Sequence, residues 1–418
     1  MKKVLIIAHD FHNKEIISSI RIHGLANYLS EFGWQPIIIT SDSYQQKNFG
    51  NFKVINIPYF NRKLSRYNNN CKKYGIIYRV INRLWDELIA QPYDYSIDWL
   101  YSVLDQYKLK LLNEKYDAII STSPPETAHL IAYNLKKYFN IPWIADLRDL
   151  WTQNHYYGYF YFRKIKERKL EKKILTNADA LITVSDPLVE KLKNLHPEKT
   201  IYCIPNGFDP ENVNYNKNFT KKFSIVYTGK LLSGIFKKYQ NPEPFFKAIR
   251  ELIDNNLLDP KLLSIDFYGT SPKWLFKLIT KYKLNNIVII HGPISRNDSI
   301  MKQREAQILL LLTWDNHQEK GVLTGKIFDY FAARRPILSV GYYGGIVAEI
   351  LKRTQTGVHC SSLEEIKFEI LNYYKEYLSN GYVIFSGIQS EIENYSHREM
   401  ALKFVRVLNY LNEKNIPI

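Results

Sequence analysis

The chain has little cysteine: Cys71, Cys203 and Cys360 are the only three in 418 residues. They lie far apart and match no zinc or redox spacing, which excludes a disulfide scaffold and leaves ordinary thiols suited to a reducing compartment. Long apolar runs are also missing. Val4-Leu5-Ile6-Ile7-Ala8 ends at His9 and Asp10, short of the roughly 7–15 apolar residues of a secretory leader, and nothing approaches the ~20 of a membrane span. The expectation is a cytoplasmic protein, peripheral on the inner face of a membrane if it meets one. No period of about 20–50 residues recurs, which sets solenoids and propellers aside. Acidic residues are in deficit, 41 against 57 basic, leaving a net charge of +16. Such an excess calls for an anionic partner: nucleic acid, a membrane surface or phosphorylated small molecules.

Hydrophobic residues make up 45 % and charged residues 23 % of the chain, a globular profile, and the length suits two or three domains at about 150 residues each. Apolar runs at 4–8, 36–40, 118–121, 143–145 and 180–184 read as strands buried on both faces, with helical spacing between them, as over 19–32 where Gly33 is the stop. Asn206-Gly207 is a turn signal, and 209–222 has the composition of a linker. A second series of runs follows at 223–227, 263–268, 287–291, 308–312 and 336–340, and Ser396-His-Arg-Glu399 spells a capping box before a last helix. The expected fold is α/β, with two Rossmann-like doubly wound domains facing each other across a cleft: residues 1–208, residues 222–390, and a helix within 391–418 that returns to the first domain. Ligands of such sheets bind beyond the carboxyl ends of the strands.

The loops there are informative. His9-Asp10-Phe11-His12-Asn13-Lys14-Glu15 contains no glycine, whereas a dinucleotide enzyme needs several at that junction. His9 and His12 are read as part of a polar substrate loop, with metal ligation the alternative. Gly321-Val-Leu-Thr-Gly325-Lys326-Ile327 falls one residue short of a P-loop and has Ile where the magnesium-binding hydroxyl belongs, which disfavours kinase or ATPase chemistry. It still sets glycines and a lysine at a helix start, either an anion site or a loop with a solvated lysine. Tyr227-Thr-Gly229-Lys230 brings a second lysine after the first strand of the second domain, with Lys237 and Lys238 following. Two lysine-bearing loops suggest a diphosphate. Asp329, three residues beyond Lys326, would hydrogen-bond ribose hydroxyls or pair with Lys326.

Six segments together resemble glycosyltransferase family 4, the retaining nucleotide-sugar transferases of GT-B fold: Thr122-Ser-Pro-Pro125, Ala145-Asp-Leu-Arg-Asp-Leu-Trp151, Thr183-Val-Ser-Asp186, Ile204-Pro-Asn-Gly-Phe-Asp209, Tyr227-Thr-Gly-Lys230 and Gly325-Lys-Ile-Phe-Asp-Tyr-Phe-Ala-Ala-Arg-Arg-Pro336. The resemblance implies transfer of a hexosyl or N-acetylhexosaminyl unit from a UDP- or GDP-sugar to a glycan or lipid-linked acceptor in cell-surface polysaccharide synthesis. It implies retention and no metal or other cofactor. Lys230 and Lys326 would hold the diphosphate beside Gly229, the backbone of Gly292 and Ile294 the base, and Asp329 the ribose, with Gly321, Val322 and Leu323 also on the donor. The family often has two glutamates eight positions apart. Here Gly321 and Asp329 occupy those positions, and Glu319 is a nearby substitute. Arg148 would balance charge near the leaving phosphate or acceptor and Asp149 would orient a hydroxyl, a structural salt bridge being the alternative.

A sugar-nucleotide epimerase of the same architecture would use the same donor site, and a basic nucleic-acid-binding protein would account for the charge alone. The paired phosphate loops favour the transferase and speak against a nucleic-acid partner. Two stretches join basic residues to aromatics: 62–83, with seven basic and no acidic residues, and 156–173, with seven basic and two acidic. Both suit an anionic membrane surface in the acceptor domain.

Overall fold

The computed structural model describes residues 1–12, 17–41, 52–59, 96–110, 114–154, 161–213, 218–231, 240–270, 272–314 and 321–414. They form two compact units, Met1–Pro205 with His397–Ile418, and Asn206–Ser396.

The first unit runs β1 (Lys2–Ile7), α1 (Ile17–Leu29), β2 (Trp34–Thr40), β3 (Lys53–Asn56), α2 (Ile97–Lys110), β4 (Ala118–Ser123), α3 (Thr127–Phe139) and β5 (Trp143–Leu147). It continues with α4 (Tyr161–Leu175), β6 (Ala180–Thr183), α5 (Asp186–Leu195) and β7 (Ile201–Cys203). The seven strands pair in parallel in the order β3-β2-β1-β4-β5-β6-β7. The order reverses between β1 and β4, the point where ligands of open α/β sheets bind. Leu5 and Ile7 of β1 enter one apolar cluster and Val4 and Ile6 another. A strand with core on both sides has no need of polar alternation, which is why it reads as a continuous run.

The second unit contains β8 (Phe223–Thr228), α6 (Glu243–Asp254), β9 (Leu263–Tyr268), α7 (Lys273–Lys281), β10 (Val288–Gly292), α8 (Arg296–Glu305) and β11 (Ile308–Leu312). Then come α9 (Lys326–Ala333), β12 (Ile337–Val340), α10 (Ile346–Thr354), β13 (Gly357–Cys360), α11 (Leu363–Asn380) and α12 (Gln389–Glu393). Its sheet is again parallel, ordered β10-β9-β8-β11-β12-β13, and reverses between β8 and β11. Ile308, Leu310 and Leu312 face one cluster and Leu309 and Leu311 the other.

The last helix, α13 (His397–Lys414), starts directly after Ser396 and belongs to the first unit. Met400, Ala401, Phe404 and Leu408 share a cluster with Ile22, Leu25, Ala26 and Leu29 of α1. The two helices meet closely at Gly24, where a Cβ would lie 2.3 Å from His397 Cγ. Arg398 reaches Glu31 at 2.7 Å and the Trp34 indole donates to Asn409 at 3.0 Å. The expected linker over 209–222 is built into the second unit. Asp209 caps a 3-10 turn, Pro210–Asn212, and Phe219 stacks on Tyr382 at 5.1 Å. The chain leaves the first unit between Pro205 and Asn206 instead. Within the described residues no helix is long and apolar enough to cross a membrane.

Candidate functional site

The second unit brings its two lysine loops together at the β8/β11 reversal. Gly229 follows β8 at φ +108°, and a Cβ there would fall 2.6 Å from Lys326 Cε, so only glycine admits the lysine so close. Lys326 is the first residue of α9, after Gly325 as N-cap. Its ammonium lies 5.2 Å from the centre of the Tyr227 ring, and no carboxylate among the described residues forms an ion pair with it. Burial lowers its pKa to about 8, with Asp329 opposing the drop. A desolvated cation at the positive end of a helix suits an anion, with Ile327 N and Phe328 N already donating to Thr324 O and Gly325 O at 3.3 Å. Lys230 is exposed one residue beyond Gly229.

The neighbouring strand ends extend this floor. Gly229 N donates to Tyr268 O at 2.7 Å, and Gly269 N to Gly292 O at 2.8 Å, tying together the loops after β8, β9 and β10. Tyr268 and His291 stack with centroids 4.2 Å apart, and His291 Nε2 is 2.7 Å from Asp266 Oδ1. Ile294 follows in the loop toward α8, half-buried. Tyr330 locks α9 to the sheet: its hydroxyl donates to Leu310 O at 3.1 Å and accepts from Thr228 N at 3.3 Å.

Asp329 departs from one of the two alternatives read from the sequence, the pair with Lys326. It pairs neither with Lys326 nor with open solvent, but with Arg296 of α8, Nη2 to Oδ1 at 2.6 Å and Nη1 to Oδ2 at 3.4 Å. Burial raises its carboxyl pKa, with Arg296 and then Lys326 opposing. The Leu323 side chain is core, clustered with Ile327 and Phe328, so a ligand would meet it through its backbone. Gly321 is buried, whereas Val322 lines a solvent-open recess of about 420 Å³ with Thr313, Trp314, Thr324, Tyr342 and His359. Glu319, Lys237 and Lys238 lie outside the described residues. Nothing in the spacing of the sequence marked Arg296, Tyr227 or Tyr330, because their roles depend on which strand ends become neighbours.

In the first unit, Arg148 lies just beyond β5 and turns back over β4. Its Nε donates to Ser123 O and its Nη2 to Pro124 O, both at 2.9 Å. Burial lowers its pKa, and Asp146, Asp149 and Asp10 oppose this. Asp149 is exposed at the loop surface. Desolvation by the surrounding loop still raises its carboxyl pKa against the pull of Arg148, and it forms no ion pair among the described residues. Asp146 in the same motif is structural. Its buried carboxylate takes Arg21 Nη2 at 2.8 Å and Nε at 3.0 Å, together with the Thr122 hydroxyl at 3.0 Å. Arg21 also donates to Ile204 O and Pro205 O, so the Arg21–Asp146 pair joins three of the recognised segments. At the end of β1, His9 Nδ1 is 2.8 Å from Asp10 Oδ1 and Nε2 is 3.0 Å from the Tyr59 hydroxyl. His12 Nε2 is 2.9 Å from Asn56 Oδ1.

α4 is built inside out. Arg163, Glu167 and Glu171 are its buried charged residues. The Trp151 indole donates to Glu167 at 3.1 Å, and Thr152 N to Glu171 at 3.2 Å, which pins the loop that follows Asp149. The outer surface carries Lys164, Lys166, Arg168, Lys169, Lys172 and Lys173, with Tyr161 74 % and Phe162 73 % exposed. The rest of the 156–173 stretch and all of 62–83 lie outside the described residues.

Residues 18–212 match the family model described as Glycosyltransferase Family 4. That segment spans most of the first unit, which is therefore similar to a family 4 glycosyltransferase domain. The match covers Arg148 and Asp149, while Lys230 and Lys326 lie beyond it. Over the whole chain the fold is GT-B. Sucrose-phosphate synthase from Thermosynechococcus elongatus superposes with a TM-score of 0.65 at 14 % identity, covering 99 % of this chain and all of the other. A glycosyltransferase from Rickettsia africae gives 0.63 at 16 % identity over 99 % of both chains. The HepE protein of Anabaena, solved with UDP and glucose, gives 0.61 at 13 % identity over 98 % of this chain and all of the other. No curated protein sequence matches the chain.

Proposed function

We propose that the protein transfers a glycosyl unit from a nucleotide diphosphate sugar to an acceptor hydroxyl with retention. The observation that carries this is the convergence of Gly229, Lys230 and the desolvated Lys326 at the β8/β11 reversal. In the reaction the bond from the anomeric carbon to the diphosphate oxygen breaks and the acceptor oxygen bonds to the same face. The acceptor proton passes to the departing phosphate oxygen. Lys230, Lys326 and the positive end of α9 stabilise the charge that develops there, from fixed positions that need no reorganisation. Gly292 and Ile294 offer backbone to the base, Asp329 serves the ribose, and Val322 with the adjoining recess serves the sugar. Arg148 and Asp149 position the acceptor in the first unit. The UDP in the HepE structure supports a uridine donor, with a GDP-sugar as the alternative. A glycan or lipid-linked acceptor fits a protein similar in fold to a lipopolysaccharide outer core galactosyltransferase. The outward face of α4 meets an anionic membrane from the cytoplasmic side, which places the enzyme where a lipid-linked acceptor is presented.

Calorimetry with UDP, GDP and their sugars tests the donor site. Wild type should bind one series, and Lys326→Ala should weaken it by about 10- to 100-fold, the loss of one charge-assisted hydrogen bond. Binding and transfer should persist in EDTA, since protein cations neutralise the diphosphate. Equal affinity of wild type and variant, or full loss in EDTA restored by a divalent ion, would remove this mechanism.

A further inference from the structure

The Arg296–Asp329 fork has a geometry suited to more than stability. Arg296 is the first residue of α8 and directly follows the loop proposed to meet the base. That loop is fixed at both ends, by Gly292 at φ +76° and by Ser295, whose hydroxyl accepts from Asp298 N at 3.1 Å. From there the guanidinium crosses to α9 and holds both oxygens of Asp329. The two side chains remain 31 % and 25 % exposed, so the pair is not sealed. A carboxylate offers about four lone-pair sites, and an arginine fork uses one on each oxygen. One on each oxygen is left, which matches two vicinal hydroxyls. The pairing also spares Lys326. Three residues ahead on the same helix, it would otherwise be the natural counter-ion of Asp329 and be drawn away from the phosphates.

We infer that Arg296 is a positioning residue, which fixes the Asp329 carboxylate for a ribose cis-diol and so sets the preference for ribonucleotides over 2′-deoxyribonucleotides. The inference rests on the donor site proposed above. Arg296 adds to it a link from the base loop to the ribose carboxylate.

The test is calorimetry of the full chain with UDP and 2′-deoxy-UDP, and with GDP and 2′-deoxy-GDP, at pH 6, 7.5 and 9. It compares wild type with Arg296→Ala, Arg296→Lys and Asp329→Asn. Wild type should prefer the ribonucleotide by about tenfold or more, the worth of one hydrogen bond to a charged group. Arg296→Ala should lose most of that preference, and the loss should be greatest at the lowest pH, since burial raises the carboxyl pKa and Arg296 no longer opposes it. Arg296→Lys should retain part of it, and Asp329→Asn should lack it at every pH. Lys326 and Tyr330 are the other titratable groups coupled to Asp329. Lys326 acts on the phosphates of both nucleotides, so its titration cancels in the ratio, and Tyr330, raised to about 12, stays neutral. A wild-type ratio near one, or an Arg296→Ala ratio equal to wild type while Asp329→Asn loses it, overturns the role of Arg296. An unchanged ratio in Asp329→Asn overturns the ribose assignment and this inference with it. Failure of wild type to bind any nucleotide overturns the donor site itself.

Discussion

Lys326 shows how a single residue can be suited to a ligand at the expense of the fold. Its folded pKa of about 8 lies below the ordinary lysine value of 10.5. At neutral pH the folded protein therefore holds a charge that burial disfavours, and this penalty is full below about pH 8 and fades between there and 10.5, where the unfolded lysine also deprotonates. Lys326→Met should raise the melting temperature of the ligand-free protein at pH 7, and the gap to wild type should narrow by pH 9.5. The same variant should lose diphosphate affinity, and wild-type affinity should itself decline above about pH 8. Melting curves and calorimetry across that range check both signs. Asp146 is a contrasting case. The motif Ala145-Asp-Leu-Arg-Asp offers two aspartates to a reader of the sequence. Because β5 runs on to Leu147, alternation turns Asp146 into the sheet's other face, toward Arg21. Sequence alone shows the alternation but not where the strand stops; Asp149, the aspartate singled out from the sequence, lies beyond the strand's end, and Asp146 lies within it.

Among the strands, those with core on both faces were legible, and of the four edge strands only β10 was, over 287–291. The runs at 263–268 and 308–312 coincide with β9 and β11. The strands missed altogether, β3, β7 and β13, are all edge strands, and a half-covered strand needs no apolar run. The glycines and lysines of the donor loops could be read because backbone approach and charge demand those residue types. Arg296 could not, since its partner is 33 positions away. For α4 the composition was visible and its orientation was not. Both glutamates point inward and six of seven basic residues outward. No ion pair among the described residues engages Lys164, Arg168, Lys169, Lys172 or Lys173, whereas on α6 Arg250 pairs with Asp254 and Lys247 with Glu251. Sedimentation with anionic liposomes should be strong at low salt, fall as salt rises, and be absent with neutral lipid. Lys169→Glu with Lys173→Glu, and separately Phe162→Ser, should weaken it and leave nucleotide binding unchanged. Equal binding to both lipids, or none at low salt, would remove the membrane surface.

On the scale of the whole molecule, the first unit is discontinuous: residues 206–396 interrupt it before α13 completes its core. During synthesis the face of α1 made by Ile22, Leu25 and Leu29 must therefore wait, uncovered, while the second unit is translated. At about 5–20 residues per second, those 191 residues take roughly 10–40 s. The unit made second is thus the first that can finish folding. Ribosome-bound chains arrested with the exit tunnel just past residue 396 should show the β8–β13 unit resistant to protease and the β1–β7 unit still cleaved. Release of the last 22 residues, His397–Ile418, should bring protection of both. The order in which the ribosome delivers the two units is therefore expected to be the reverse of the order in which they mature, with the segment after residue 396 deciding when the first unit can close its core.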